Sequence, residues 1–487
     1  MITQIFSATL FGIEAKLVTV EAAVVSGLSH FTIVGLPDTR IQEARDRVRS
    51  AIKQSGLQFP YNFRITVNLA PSDLKKEGTG FDLPIALAIL SKQINLKIPD
   101  DAVFIGELAL DGSVRPVRGA LAIVKAAAAA GKKTAFIPCG NNADDALLVS
   151  GITVVPVPTL IDCVNHLRAT HRLSSQTQSS KITPQNLPDS DMSDIYGNDF
   201  AKRALLIAAV GGFHCMLSGP PGVGKTMLAK NFVTILPPPN EHEILEITQI
   251  YSALHGDVSR QQFHARPLRA PHHSASSASM IGRWSTSQFK PGEITLAHHG
   301  VLFLDELPEF SRDVLEQLRQ PLETGTIQLA RATTSLELPA KFQLIAAKNP
   351  CPCGYLYDSE RECRCTLQQK RLYEKKLSGP LLDRIAIYCT VEQPKLEKFM
   401  DKKTNTLSTS EMRSHVISAR AFSKSHAKKE IEPSIRRSAI CAAEKLHLSP
   451  RALFQIFAIA RAIADLEESE VIKEPHINEA LQYRAVH

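Results

Sequence analysis

The sequence predicts an α/β protein built on a P-loop core, with a smaller α/β domain before it and a helical domain after it. Three observations predict this. The string Gly219-Pro220-Pro221-Gly222-Val223-Gly224-Lys225-Thr226 follows a short apolar run and opens a helical segment through Met227, Leu228 and Ala229, the order strand, glycine-rich turn, helix. Between 191 and 391 short apolar runs bounded by turn residues alternate with helical patterns, as in a buried parallel sheet. After Gln393 the strand-like runs stop and helical patterns follow to the end.

The chain has 487 residues, of which 44% are hydrophobic and 22% charged, so each of several domains can bury a core. A formal net charge of +7 permits nucleic-acid binding without arguing for it. Met1 to Lys16 lacks the basic start and apolar run of a signal peptide, and no run of 18 apolar residues occurs. A cytoplasmic protein with no membrane partner is therefore expected.

Residues 1–166 read as an accessory α/β domain. Val18 to Val25 and Phe63 to Leu69 look like strands, and Asp38 caps a helix to Ser55 whose apolar stripe is Ile41, Ala44, Val48, Ala51 and Ile52. Residues 167–190 are rich in Ser, Thr, Gln and Pro, a linker composition. In the core, 191–391, strands are expected at Cys215 to Ser218, Gly300 to Leu304 and Phe342 to Ala347. In 392–487, Glu411 to Ser423, Pro433 to Leu446, Pro450 to Glu468 and Glu474 to Tyr483 read as helices.

The glycine-rich string matches G-x-x-x-x-G-K-[ST] in full, a turn whose backbone N–H groups and following helix start converge on phosphate oxygens. Lys225 then suits the β- and γ-phosphates of ATP, and Thr226 suits Mg²⁺. Val301-Leu-Phe-Leu-Asp305-Glu306 is an apolar strand ending in two carboxylates. Asp305 suits Mg²⁺ held through water, and Glu306 suits orientation of an attacking water. Asn349 follows another predicted strand and suits the same water, or simply a turn before Pro350. Arg384, in Leu-Leu-Asp-Arg, and Arg451, in the first turn of a late helix, suit either charge neutralisation or plain surface roles.

Of nine cysteines, Cys139, Cys163, Cys215, Cys389 and Cys441 are scattered and read as small buried apolar residues. Cys351, Cys353, Cys363 and Cys365 form C-x-C, nine residues, C-x-C. Four thiolates on two short loops suit a tetrahedral Zn²⁺ site; free thiols or a redox pair are the alternatives.

The Walker strings, Asn349-Pro-Cys-Pro-Cys-Gly354 and Leu377-Ser-Gly-Pro-Leu-Leu-Asp-Arg384 together resemble the ComM/YifB group of magnesium-chelatase-like AAA+ ATPases, over nearly the whole chain. The resemblance implies an AAA+ core with a helical lid. It implies sensor 1 at Asn349, an arginine finger acting on a neighbour's ATP at Arg384 and sensor 2 at Arg451. It also implies a homo-hexamer and a DNA helicase promoting branch migration in natural transformation, with single-stranded and branched DNA and recombination proteins as partners. Lys348 stands where that group usually has methionine, and Ile281-Gly-Arg-Trp284 where a more glycine-rich stretch is expected.

Some 80 residues separate Lys225 from Asp305, more than one strand–helix–strand unit needs. The stretch from Arg266 to Met280, with Arg283 and Lys290, resembles the helix-2 insert of this clade. Thr326 to Leu338, turning around Ala330 to Thr333, resembles its presensor hairpin. Arg331, Arg283 and Lys290 are the candidate phosphate contacts, against the reading that they are solvated loop charges.

Ile65 to Ala86, with Lys76-Glu-Gly-Thr-Gly80-Phe-Asp, resembles the proteolytic domain of Lon. Gly80 falls at the serine position of that fold's dyad and Leu121 at the lysine position, while Thr79 and Lys125 fall on neither. A Lon-like fold without peptidase chemistry is expected. The competing function is a chelatase- or chaperone-like ATPase that remodels a protein partner.

Overall fold

The computed structural model describes residues 2–176, 191–254, 265–284, 289–331, 334–356, 361–393, 407–426 and 431–484. The N-terminal domain is a seven-stranded mixed sheet in the order His30–Val34, Phe63–Ala70, Glu14–Ser26, Thr3–Phe11, Ala102–Phe104, Thr134–Pro138 and Thr153–Val157. Alternation along its strands supplies two faces. Ile5, Val18, Val20, Ile65 and Val67 pack against the helices Thr39–Gln54 and Asp82–Gln93. Ala8, Val103, Ala135 and Val154 pack against the helix Ala120–Ala129.

The expected helix is present. Asp38 caps it by accepting from the Ile41 N–H at 2.9 Å, and all five residues of the expected stripe are fully buried. The linker boundary differs from expectation. Gln176 exchanges backbone hydrogen bonds with Val154 at 2.8 and 3.3 Å, and the Leu173 N–H donates to His166 Nδ1 at 2.9 Å. The chain thus stays on the edge of the N-terminal sheet through Gln176, because an unpaired edge strand accepts further backbone partners whatever the side-chain composition. The rest of the expected linker, 177–190, lies outside the described residues.

The central sheet has five parallel strands in the order Leu268–Arg269, Val301–Leu304, Gln343–Lys348, Cys215–Ser218 and Ile387–Thr390. Its middle strands are buried on both faces, consistent with their unbroken apolar sequences. Leu268–Arg269 corrects one expectation. Part of the stretch expected as insert is an edge strand paired with Val301–Leu302. Arg266 binds the carboxylate of Glu243 at 3.0 Å and Arg269 that of Glu293 at 2.6 Å.

The helices Thr409–Ser425, Pro433–Lys445, Pro450–Leu466 and Glu474–Gln482 occupy the expected positions. They share one core with the P-loop side of the sheet. Met412, Val416, Ile456, Ile459 and Ile463 join Leu205, Leu217, Leu228 and Phe232. Charged contacts reinforce the seam, since Arg203 forks onto Glu479 at 2.9 and 3.2 Å and Arg420 donates to the Ala209 carbonyl. Of the scattered cysteines, Cys163, Cys215 and Cys389 are buried, but Cys139 and Cys441 are exposed. Cys139 lies just past the strand end at Pro138, and Cys441 lies on a helix turned partly outward.

Candidate nucleotide site

The buried strand Cys215–Ser218 delivers the glycine-rich loop to the carboxyl edge of the sheet, and the helix Lys225–Ile235 leaves from it. Gly222 and Gly224 take φ of 82° and 90°, and a Cβ on either would meet no atom within 4 Å. The loop therefore needs glycine for its conformation, and open space adjoins both glycines. Lys225 is 8% exposed. Its Nζ donates to the carbonyls of Gly219 (2.6 Å) and Pro220 (2.7 Å) and to Asn349 Oδ1 (3.1 Å). Burial lowers the pKa of this ammonium, and Asp305 and Glu306 act in the opposite direction.

Strand order gathers the rest. Gln343–Lys348 lies between the P-loop strand and Val301–Leu304, so Asn349, Asp305 and Thr226 meet at one edge. Thr226 Oγ1 donates to Asp305 Oδ2 at 2.7 Å, placing together the hydroxyl and carboxylate that Mg²⁺ requires. The Glu306 N–H donates to Asp305 Oδ1 at 2.9 Å, and Glu306 takes φ of 50°, a conformation costly for a residue with a side chain. Its carboxylate is half exposed and has His273 Nδ1 at 3.4 Å. Sequence reasoning missed His273. Its signal was a histidine pair just after the edge strand Leu268–Arg269, which had been absorbed into the expected insert.

Arg384 and Arg451 do not join this group. Both approach Glu323: Arg384 pairs with it directly and donates to the Pro380 carbonyl at 2.5 Å, and Arg451 Nη1 lies 3.9 Å from its Oε1. Arg384 Nε is buried and has no hydrogen-bond partner among the described residues.

The four clustered cysteines converge. Cys351 and Cys353 Sγ each lie 3.7 Å from Cys363 Sγ, the Cys353 N–H donates to Cys365 Sγ at 3.3 Å, and all four sulfurs lie within 4.8 Å of one another. Zn–S bonds of about 2.3 Å in a tetrahedron put sulfurs about 3.8 Å apart, so the cluster fits the ion. The Tyr355 N–H draws the Cys353 thiol down to about 6, while burial pushes Cys351 up to about 12. A second group, Glu246, His298 and His299, is also compact. There His298 Nδ1 accepts the Lys341 N–H at 3.0 Å, which keeps its proton on Nε2, facing Glu246.

Gly282–Trp284 and Phe289–Pro291 form a two-stranded ribbon in which Arg283 pairs with Lys290 and Trp284 with Phe289. Arg283 and Lys290 are exposed. The expected hairpin is present as Thr326–Arg331 and Thr334–Pro339, with the backbone of Arg331 at its turn end. Residues 332 and 333 of the expected turn lie outside the described residues. In the N-terminal domain Gly80 lines a cavity of about 590 Å³, Leu121 is fully buried, and Lys125 Nζ donates to Gln249 Oε1 at 2.9 Å.

Residues 191–399 match the family described as magnesium chelatase, subunit ChlI; residues 20–141 match subunit ChlI of Mg-chelatase; and residues 424–484 match its C-terminal region. The chain is 40% identical to competence protein ComM of Haemophilus influenzae, over 99% of this chain and 97% of that protein. The chain belongs to the ComM/YifB family of magnesium-chelatase-like AAA+ ATPases. It is also 38% identical to the uncharacterized protein YifB of Escherichia coli, over 98% and 95% of the two chains. A shorter likeness, 29% identity over 37% of this chain and 35% of the other, relates it to Lon protease 2 of Bacillus subtilis. Family membership carries ATP and Mg²⁺ with it, and the open glycine loop and the Thr226–Asp305 pair fit them. No helix among the described residues is long and apolar enough to cross a membrane.

Proposed function

We propose that this protein is an ATP-driven hexameric DNA helicase or translocase that promotes branch migration during homologous recombination in natural transformation. The observation that carries the reading is the ribbon inserted ahead of the Walker strand, with Arg283 and Lys290 paired on its exposed side. A basic surface on an element attached to the ATPase core can hold phosphates without reading bases. The competence protein among its relatives supports the biological setting.

In this reading Lys225 holds the β- and γ-phosphates, Thr226 and Asp305 hold Mg²⁺, and Glu306 with Asn349 orients the lytic water. Bound Mg²⁺ neutralises charge on the phosphates. Arg384 leaves Glu323 to reach the ATP of the adjacent subunit and offset charge on its phosphates. Arg451 shares Glu323 and acts as sensor 2. The four cysteines hold a structural Zn²⁺ that fixes the loop after Asn349.

The test is ATP-dependent branch migration on a four-strand junction, with Glu306→Gln as the inactive control. Junction processing that requires ATP and is lost in Glu306→Gln supports the proposal. ATP turnover indifferent to DNA rejects it. That result, with stimulation by a protein instead, favours a chelatase- or chaperone-like role, for which the match to chelatase subunits is the supporting observation.

A further inference from the structure

The N-terminal domain meets the ATPase core through the tip of its first hairpin and through the segment Gly119 to Lys125. Strands Thr3–Phe11 and Glu14–Ser26 are joined by Gly12 and Ile13 alone. Gly12 has φ of 68°, and a Cβ there would lie 2.5 Å from Leu336 Cδ2. The conformation favours glycine, and a Cβ there would also have to displace the Leu336 side chain. Leu336 belongs to the hairpin Thr326–Pro339.

The residues on either side of Gly12 make equally specific contacts. The Phe11 ring meets Trp284 of the basic ribbon edge-on, with centroids 5.5 Å apart and planes at 87°. Ile13 is 7% exposed and lies in one apolar cluster with Met216, Leu302, Leu304, Leu336 and Leu338. Leu302 and Leu304 belong to the strand Val301–Leu304, which Asp305 follows directly. The Ile13 carbonyl accepts from Gln249 Nε2 at 2.9 Å, and the Gly119 N–H donates to the Ser252 carbonyl at 2.8 Å. Three consecutive residues of one domain therefore touch the ribbon, the hairpin and the core behind the Walker strand.

The two-residue period of the ribbon makes this contact consequential. Neighbouring residues on a strand point to opposite faces. The face opposite the exposed Arg283–Lys290 pair is the Trp284–Phe289 pair, packed with Phe11. The basic pair is thus held at its height by what its other face rests on. The same tip is in van der Waals contact with the second candidate element through Leu336.

We propose that Phe11, Gly12 and Ile13 form a positioning wedge that transmits the state of the nucleotide site to the basic ribbon. The N-terminal domain thereby sets how the motor responds to DNA, and these three residues take no part in the chemistry. The proposal rests on the DNA reading above for its consequence, but its contact can be read without DNA. Trp284 is the chain's single tryptophan, so intrinsic fluorescence reports the ribbon directly.

In full-length protein carrying Glu306→Gln, Mg-ATP should shift Trp284 emission. Adding Phe11→Ala should abolish that shift and raise acrylamide quenching of Trp284, while Phe11→Tyr restores both. In the otherwise unmodified chain, Phe11→Ala should leave ATP turnover without DNA within about twofold and cut stimulation by single-stranded DNA about fivefold or more. Gly12→Ala should do the same by displacing Leu336. An ATP-dependent shift that survives Phe11→Ala overturns the wedge, as does a chain in which ATP never moves Trp284. A normal fluorescence pattern with turnover that ignores DNA leaves the wedge standing and removes the DNA reading instead.

Discussion

At the residue scale, the nucleotide site turns on charges held close by short hydrogen bonds. Lys225 already spans Gly219, Pro220 and Asn349, so its substitution removes a charge and three contacts together. Lys225→Ala should lose both nucleotide binding and turnover. Glu306→Gln should keep binding and lower kcat by about 100-fold or more. Fluorescent-nucleotide titration beside steady-state hydrolysis separates the two; equal loss of binding in both would contradict the division of roles. His298 gives a pH dependence. It is 2% exposed, its Nδ1 accepts a backbone N–H, and burial holds its pKa down at about 4. An unfolded histidine titrates near 6.5. Between those values the unfolded chain takes up a proton that the folded chain refuses. Stability is therefore full above pH about 6.5 and declines as pH falls towards 4, by on the order of 3 kcal/mol for this residue. Burial holds His214 down to about 4 as well, so urea unfolding at pH 7.5 and pH 5 reads both histidines, and His298→Gln should reduce the difference without abolishing it. The Walker residues were legible from sequence because they are contiguous in two strings. His273 was not, because only strand pairing brings it beside Glu306.

At the scale of elements, helices and strands follow the apolar period closely. The helix from Thr39, the P-loop strand and the four C-terminal helices could all be placed from pattern and capping residues. The edge strand Leu268–Arg269 could not, since two residues carry no period. The cysteine loops test another element-level claim. Cys351 is two residues from Asn349, so an ion on the four sulfurs would fix the backbone that presents the asparagine. Cys363→Ser should abolish near-stoichiometric zinc, lower the melting temperature and slow ATP turnover several-fold. Protein prepared without chelator that contains no zinc by elemental analysis would remove the site. Zinc loss with unchanged turnover would separate the metal from the asparagine loop.

At the scale of the whole molecule, the arginine-finger role proposed for Arg384 requires a neighbouring subunit. Arg384 lies on Glu323 and makes no contact with the P-loop group among the described residues. In a ring, Arg384→Ala subunits keep a competent P-loop and Lys225→Ala subunits keep a competent finger. Each variant alone should be inactive, whereas an equal mixture should recover about a quarter of the wild-type rate, from the interfaces that pair one of each in the correct order. Activity no higher than the sum of the separate variants would mean that Arg384 does not act across an interface. The order of the major segments was readable from composition, but the way they merge was not. The helical lid shares its core with the P-loop face, and Ile13 of the N-terminal domain is buried in the opposite one.

The sequence alone determined the strand–loop–helix setting of the P-loop, the parallel core and the gathering of four thiols, because each depends on neighbours in the chain or on a regular apolar period. Only the tertiary structure decided which cations are already spoken for, since Arg266 and Arg269 are satisfied by Glu243 and Glu293 while Arg283 and Lys290 remain exposed. It alone set Phe11 against Trp284. Such contacts join segments far apart in the chain, and the complementary shape of two folded surfaces selects them with no local pattern to announce them.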